Sequence, residues 1–469
     1  MTTSALPRDT ATLTRELLWL AAPMIGVTLS RLLMGFIDFV MVSSLGTAAQ
    51  AAVSPCTLLL YTIACVGMGI GQSVQTYVAQ HEGRGDPQRA GGYVWPAMWL
   101  GLIAALLSAP IAATVGEWFP ALIGRVGHHP ADVQEMEIAF LRYALWAIGP
   151  MVMCAGLECF WNGVKRPEID LVAIVISLLT LVATNYIFIW GKFGFPALGI
   201  GGSGLATLLA WSVRLVVLAA PLLLLRGVET RYHVLRSFGL RMREMRELLV
   251  LGLPVAAQWL VDIGAWLVFL QFLMPPFGKP AMAAGNMVIQ MMHLSFMPCL
   301  GIGMALTTQV GNAVGARDGA LAVLRVRVAR RIVLAYMGIM ALLFIFAGRQ
   351  LASVLTFEET AELTDEVLTL AAHMAIWAGL FQIFDGLCII YSFASRGSGD
   401  TRVPALLFAM CCWGIFILGG FALSRLWPQL GIHALWSMAT LYIMVLGVLL
   451  WYRFHMREAE LSKPIVAAA

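Results

Sequence analysis

Three carboxylates stand in stretches where charge is costly. Asp38 lies in Met34-Gly35-Phe36-Ile37-Asp38-Phe39-Val40-Met41, Asp262 lies eight residues past Pro254 in an apolar run, and Asp385 lies in Phe381-Gln382-Ile383-Phe384-Asp385-Gly386. An ionised side chain inside a membrane span costs roughly 2.5–3.5 kcal/mol on insertion scales, so each needs a partner, a water-filled cavity or a task. A carboxylate in low-dielectric surroundings takes up a proton more readily, a second carboxylate beside it adds to that tendency, and carboxylate oxygens also ligate sodium. These are the properties of a cation-coupling site. For Asp38 the competing structural role is a permanent ion pair with Arg31, seven residues earlier on the same helical face. Asp262 and Asp385 have no basic residue within two turns of their own helices.

The neighbours of these acids define what else such a site could hold. Gln258 precedes Asp262 by one turn, Trp266 and Phe269 follow it by one and two, and Phe381 precedes Asp385 by one. Aromatic rings beside buried acids suit a flat, lipophilic cation, and Met291 and Met292 would add adaptable surface. The competing role of these side chains is contact with lipid or a packed neighbour. A metal centre is not expected: His293, His373 and His433 make no close pairs, and the eight cysteines form no C-x-x-C pair. Glu158 is expected to reach water or Lys165, and Arg142 and Arg214 to snorkel or pair. There is no P-loop, so an ion gradient is the expected energy source. Gly199, Gly201 and Gly204 match G-x-G-x-x-G, but they follow a membrane helix, and close helix packing is the expected reason. An intramembrane enzyme would need H-E-x-x-H or a convincing Ser/His pairing, and neither is present.

The elements that must carry these residues follow from composition. Of 469 residues 60% are hydrophobic and 12% charged, with a mean hydropathy of +0.83; at about 20 residues per span this supplies roughly twelve membrane helices. Apolar runs bounded by charge, Gly and Pro predict them at 17–41, 53–79, 93–115, 137–161, 169–190, 200–225, 247–273, 281–311, 326–347, 366–394, 403–424 and 431–452. Five basic residues, Arg125, Lys192, Lys279, Arg349 and Arg425, face one side, against 22 on the other, which predicts both termini inside. A net charge of +4 gives no reason to expect a nucleic acid partner.

A shift of 231 or 232 residues superimposes Glu16-Leu17-Leu18 on Glu247-Leu248-Leu249, Pro23 on Pro254, Gly69 and Gly71 on Gly301 and Gly303, Asp86 on Asp318, and Leu198-Gly199-Ile200 on Leu430-Gly431-Ile432. The expected fold is therefore an all-α polytopic membrane protein of two six-helix bundles, related by a pseudo-two-fold axis along the membrane normal. The expected divisions are a cytoplasmic tail at 1–14, an N-terminal lobe at 15–226, a basic linker at 227–246, a C-terminal lobe at 247–454 and a tail at 455–469.

At this point the sequence resembles the multidrug and toxic compound extrusion (MATE) family, in its bacterial NorM-like branch, over about residues 15–455. The resemblance is carried by Met34 to Asp38 leading to Leu45-Gly46, by Asn185-Tyr186-Ile187-Phe188-Ile189-Trp190 through Gly199, by Val310-Gly311-Asn312-Ala313-Val314-Gly315, and by Phe381 to Asp385 followed by Arg396-Gly397 and Asp400-Thr401. It implies two bundles forming a V-shaped cleft in the cytoplasmic membrane. It also implies export of lipophilic, often cationic drugs in exchange for sodium ions or protons, with no cofactor and no enzymatic step. Asp38 and Asp385 match the family's carboxylates in the first and tenth spans. Asp262 stands where NorM-like relatives typically carry Glu, which alters the geometry of a sodium site shared with Asp385. Gln290 stands where the eukaryotic branch resembles a Glu-bearing site; it and Asn185 complete the expected substrate cavity. A monomer in contact with membrane lipid is expected. The alternative on a related two-lobe architecture is a flippase for lipid-linked saccharides, which would line its cleft with several Arg or Lys; here Arg31, Arg142 and Arg214 fall within spans, and the other basic residues are counted with the segments on either side.

Overall fold

The computed structural model describes residues 9–126, 130–354 and 361–461; residues 1–8 and 462–469 of the expected tails lie outside the described residues. Twelve helices among the described residues are long and apolar enough to cross a membrane. They are α1 (Thr10–Ser43), α2 (Thr47–Arg84), α3 (Pro87–Ala113), α4 (Ala131–Gly163), α5 (Pro167–Trp190), α6 (Ile200–Leu224), α7 (Met242–Phe277), α8 (Lys279–Gly315), α9 (Gly319–Ser353), α10 (Asp365–Ser398), α11 (Arg402–Leu426) and α12 (His433–Met456). Nine contain a predicted apolar run whole, and α3, α6 and α12 fall short of theirs by one or two residues at one end. Several exceed their run because polar turns such as Gln80-His81-Glu82-Gly83-Arg84 continue the helix, whose internal backbone bonding does not depend on apolar side chains.

The chain packs into two compact units, residues 26–256 and residues 1–25 with 257–469. This differs from the division at the basic linker that the sequence suggests. The first part of α1 belongs with the later helices, and the first part of α7 belongs with the earlier ones. The two breakpoints fall two or three residues after Pro23 and Pro254, each inside its helix and each removing one backbone hydrogen bond.

The exchanged segments are held by contacts that repeat across the internal symmetry. In the 26–256 unit an ideal Cβ on Gly69 would lie 2.6 Å from the Ala256 Cα; in the other unit a Cβ on Gly301 would lie 2.7 Å from the backbone nitrogen of Ile25. Gly69 and Gly301 correspond in the repeat, as do Ala256 and Ile25, so glycine is needed at the same crossing twice. Farther along, the Tyr93 hydroxyl donates to Glu247 at 2.5 Å, while Arg325 pairs with Glu16 at 3.6 Å. Gly199 and Gly431 both adopt a backbone open only to glycine, with φ 55° and ψ −132° in the first and φ 56° and ψ −137° in the second. The G-x-G-x-x-G run does serve close packing: a Cβ on Gly204 would collide with the carbonyl oxygen of Phe140.

The basic linker is a folded part of the 26–256 unit. Arg226–Tyr232 is a short helix, Trp95 Nε1 donates to the Val234 carbonyl at 2.8 Å, and Trp99 Nε1 donates to that of Gly239 at 3.2 Å. Burial lifts the Tyr232 phenol above its ordinary range, and the nearby Glu82 carboxylate adds to the shift.

Replacing Gly301 by Leu should force the α1–α8 crossing apart and lower stability by about 1–3 kcal/mol. Thermal unfolding of the purified protein should show a clear fall in Tm, and an unchanged Tm would contradict this packing.

Candidate functional site

Two ionisable sites emerge, one in each unit. In the 257–469 unit, α7 contributes Gln258, Trp259, Asp262 and Trp266 at helical spacing, and α10 contributes Phe381, Gln382, Asp385, Ser392, Phe393 and Arg396. With residues of α8, α11 and α12 they enclose a cavity of about 180 Å³. Two carboxylates thus share one space that is otherwise mostly aromatic and aliphatic. Among the described residues neither has a Lys or Arg within ion-pair distance. The guanidinium of Arg396 donates instead to Gln258 Oε1 at 3.1 Å and lies 4.7 Å from the ring centre of Phe393.

The cavity wall is fixed by hydrogen bonds and ring packing. Gln382 Nε2 donates to Ser295 Oγ at 2.7 Å, and Ser295 Oγ donates to the Met292 carbonyl at 2.9 Å. Tyr442 stacks on Phe416 with ring centres 5.0 Å apart. Wide π turns interrupt α7 at Phe269–Leu273 and α11 at Cys411–Gly419, and Trp266 and Phe416 meet there at 5.1 Å.

The structure brings Gln258, Asp262, Trp266, Phe381 and Asp385 together around this cavity and leaves out the other expected members. Phe269 is fully buried against Phe416 and Trp436 at 5.0 and 5.9 Å, so it forms core. The α8 stripe that lines the cavity is Ile289, Met292, His293, Phe296 and Leu300. Gln290 and Met291 stand about 100° and 200° around the helix from Ile289; Gln290 is exposed and Met291 is packed in the core. Asn185 belongs to the other unit. Trp259, His293 and Arg396 are lining residues that the sequence reading did not place, although the i, i+3, i+4 rows through Asp262 and Asp385 point to Trp259 and Arg396.

In the 26–256 unit Asp38 is buried, and its Oδ1 accepts hydrogen bonds from Asn185 Nδ2 at 2.8 Å and from Ser203 Oγ at 2.7 Å. Asn185 Oδ1 is itself buried without a hydrogen-bond partner among the described residues. Arg31 does not pair with Asp38. Its Nη2 reaches Glu158 Oε2 at 3.0 Å, and the same oxygen accepts Arg214 Nη2 at 2.6 Å, which also donates to Asp170 Oδ1 at 2.7 Å. Glu158 therefore bonds to two guanidiniums, where the sequence suggested Lys165 or water. Arg214 pairs at 0% exposure, whereas Arg142 is exposed. Among the described residues no group of three or more His, Cys, Asp or Glu could hold a metal ion.

Twelve apolar helices, with carboxylates placed inside each of two units, define a multi-pass helical membrane protein with ionisable groups on its spanning helices. The family model MatE matches residues 23–187 and 264–421, and the chain belongs to that family. It is 30% identical over 455 residues to "Probable multidrug resistance protein NorM" of Rhizobium meliloti, covering 94% of this chain and 92% of that one. The protein of the same name from Rhodopseudomonas palustris is 29% identical, covering 97% and 94%. The fold is shared with a multidrug resistance MATE family transporter of the MOP superfamily in an outward-facing conformation (20% identity, TM-score 0.83, 96% and 97% coverage). It is also shared with a Vibrio cholerae MATE transporter in a bent form (19%, TM-score 0.82, 96% and 98%).

Replacing Arg214 by Leu would strand Asp170 and unbalance Glu158, and should cost about 3–5 kcal/mol. Adding Asp170→Leu should recover much of the loss in thermal unfolding. Equal instability of the single and double variants would contradict the pairing.

Proposed function

We propose that the protein is a secondary active multidrug exporter that carries lipophilic cations outward in exchange for inward sodium ions or protons. The observation that carries this reading is the placement of Asp262 and Asp385 in one aromatic-lined cavity without a basic partner among the described residues. Two acids facing one space attract a cation, and Trp266, Phe381 and Phe393 supply ring faces for its flat body. A sodium ion or proton arriving from outside neutralises the acids and weakens their hold on the cationic substrate, which then leaves. Asp38, with Asn185 Oδ1 and Ser203 beside it, offers a second set of oxygen atoms suited to a small hard cation or a proton. Alternating access couples the two events, because each ligand shifts the conformational balance only through its different affinity for the two states.

The names carried by the 30% and 29% identical relatives support small-molecule drugs as substrates. The distribution of Lys and Arg supports a bacterial cytoplasmic membrane location with both termini inside. Each chain is read as a complete transport unit of two six-helix lobes, working as a monomer among membrane lipids, performing transport and no catalysis, without a resident cofactor.

Purified protein in proteoliposomes should export ethidium under an imposed sodium or proton gradient, and Asp385→Asn should reduce driven export to the level of empty vesicles while leaving folding intact. Export in folded Asp385→Asn at the native rate would overturn the assignment of the cavity.

A further inference from the structure

The Arg31, Glu158, Arg214 and Asp170 cluster lies outside the sites used so far, although it shares a helix with one of them. Its two guanidiniums and two carboxylates balance to zero charge, with Glu158 Oε2 bridging both arginines. Arg214, Glu158 and Asp170 have side-chain exposures of 0, 6 and 1%; Arg31, at 30%, is the member that is not enclosed. Arg31 and Asp38 stand seven residues apart on α1, so two turns and about 10 Å of helix separate a guanidinium from an acid that has none. Tyr61 of α2 lies within electrostatic reach of Arg31, Arg214, Asp38 and Glu158, which puts the cluster and the Asp38 site in one neighbourhood. Asn185 and Ser203 are the remaining polar groups on Asp38, and both are neutral.

From this arrangement we infer that Glu158 is a positioning residue for coupling. By holding and neutralising Arg31, it keeps a fixed positive charge off Asp38 and leaves that carboxylate open to the transported cation. Arg214 and Asp170 fix Glu158 in turn, since the Arg214 guanidinium is anchored to the first turn of α5 through Asp170. The inference rests on the reading of Asp38 as a coupling carboxylate. Without Glu158, Arg31 carries an unbalanced charge that either pairs with Asp38 directly or opposes cation binding through its field. At an effective dielectric constant near 20, a unit charge about 10 Å away weakens binding of a monovalent cation about tenfold. The effect has the same sign for sodium and for a proton, because both meet the same positive charge.

The test measures ethidium export from proteoliposomes against the concentration of the driving cation, with sodium and proton gradients imposed separately. Glu158→Gln should raise the cation concentration for half-maximal export about tenfold, and the double variant Arg31→Gln with Glu158→Gln should restore it to near the native value, since Arg214 and Asp170 still balance. A purely structural Glu158 would show loss of folded protein, with no rescue by removing a second member of the cluster. Native cation dependence in folded Glu158→Gln, or failure of the double variant to rescue, would overturn the inference. If Glu158→Gln alone does not fold, Arg31→Gln gives the opposite sign: the surplus negative charge should lower the half-maximal concentration, and no change would overturn the inference. Asp38→Asn separates this inference from the reading beneath it. Native driven export in that variant would refute Asp38 as a coupling group, whereas loss of export there together with unchanged cation dependence in Glu158→Gln would refute only the role of Glu158.

Discussion

A charge inside a membrane protein has no water to lean on, and the placement of the ionisable groups around Asp38, Glu158, Asp262 and Asp385 follows from that cost. The cost is met in two ways. Arg31, Glu158, Arg214 and Asp170 pair with one another at 2.6–3.0 Å, which makes them a fixed element of the 26–256 unit. Asp38, Asp262 and Asp385 are treated differently: their surroundings are mostly amides, hydroxyls and aromatic rings, Arg396 in the shared cavity turns to Gln258, and among the described residues no guanidinium or ammonium pairs with any of them. Two arginines are given to Glu158 and Asp170 while three acids are left without a base, and that contrast is what the proposed coupling role of those acids rests on.

The same constraint accounts for the backbone. Each unit is closed by the opening segment of the other repeat's first helix, seated on Gly69 in one case and on Gly301 in the other. Pro23 and Pro254 mark where those helices pass from one unit to the other. Helices α1 and α7 each carry one of the three acids beyond that point, at Asp38 and Asp262, so the helices that pass between the units also bear two of the unpaired acids.

Much of this was legible in the sequence, for physical reasons that can be named. Twelve apolar runs, the 231–232 residue repeat and three isolated aspartates are local or periodic signals, and they gave the helices, the six-helix repeats and Asp262 with Asp385. Pairing between distant helices carries no such signal: Glu158 lies 127 residues from Arg31 and 56 from Arg214. The sequence therefore offered Arg31 as a partner for Asp38, its nearest acid along the helix, while packing gave it to Glu158. Phe269 shared a face with Asp262 by spacing, but the π turn that starts there and the rings of Phe416 and Trp436 place it in the core. The exchange of half-helices was also hidden, because Pro23 and Pro254 read only as matched positions of the repeat until the contacts at Gly69 and Gly301 were in place.

The central claim is that a small cation and a lipophilic cationic substrate compete for the acids of one cavity. Equilibrium binding of ethidium to the purified protein, titrated with sodium and separately with acid, tests it most directly. The account expects ethidium affinity to fall as at least one of the two cations rises, and expects Asp385→Asn to abolish that dependence. Ethidium affinity independent of both sodium and pH in the native protein would contradict it.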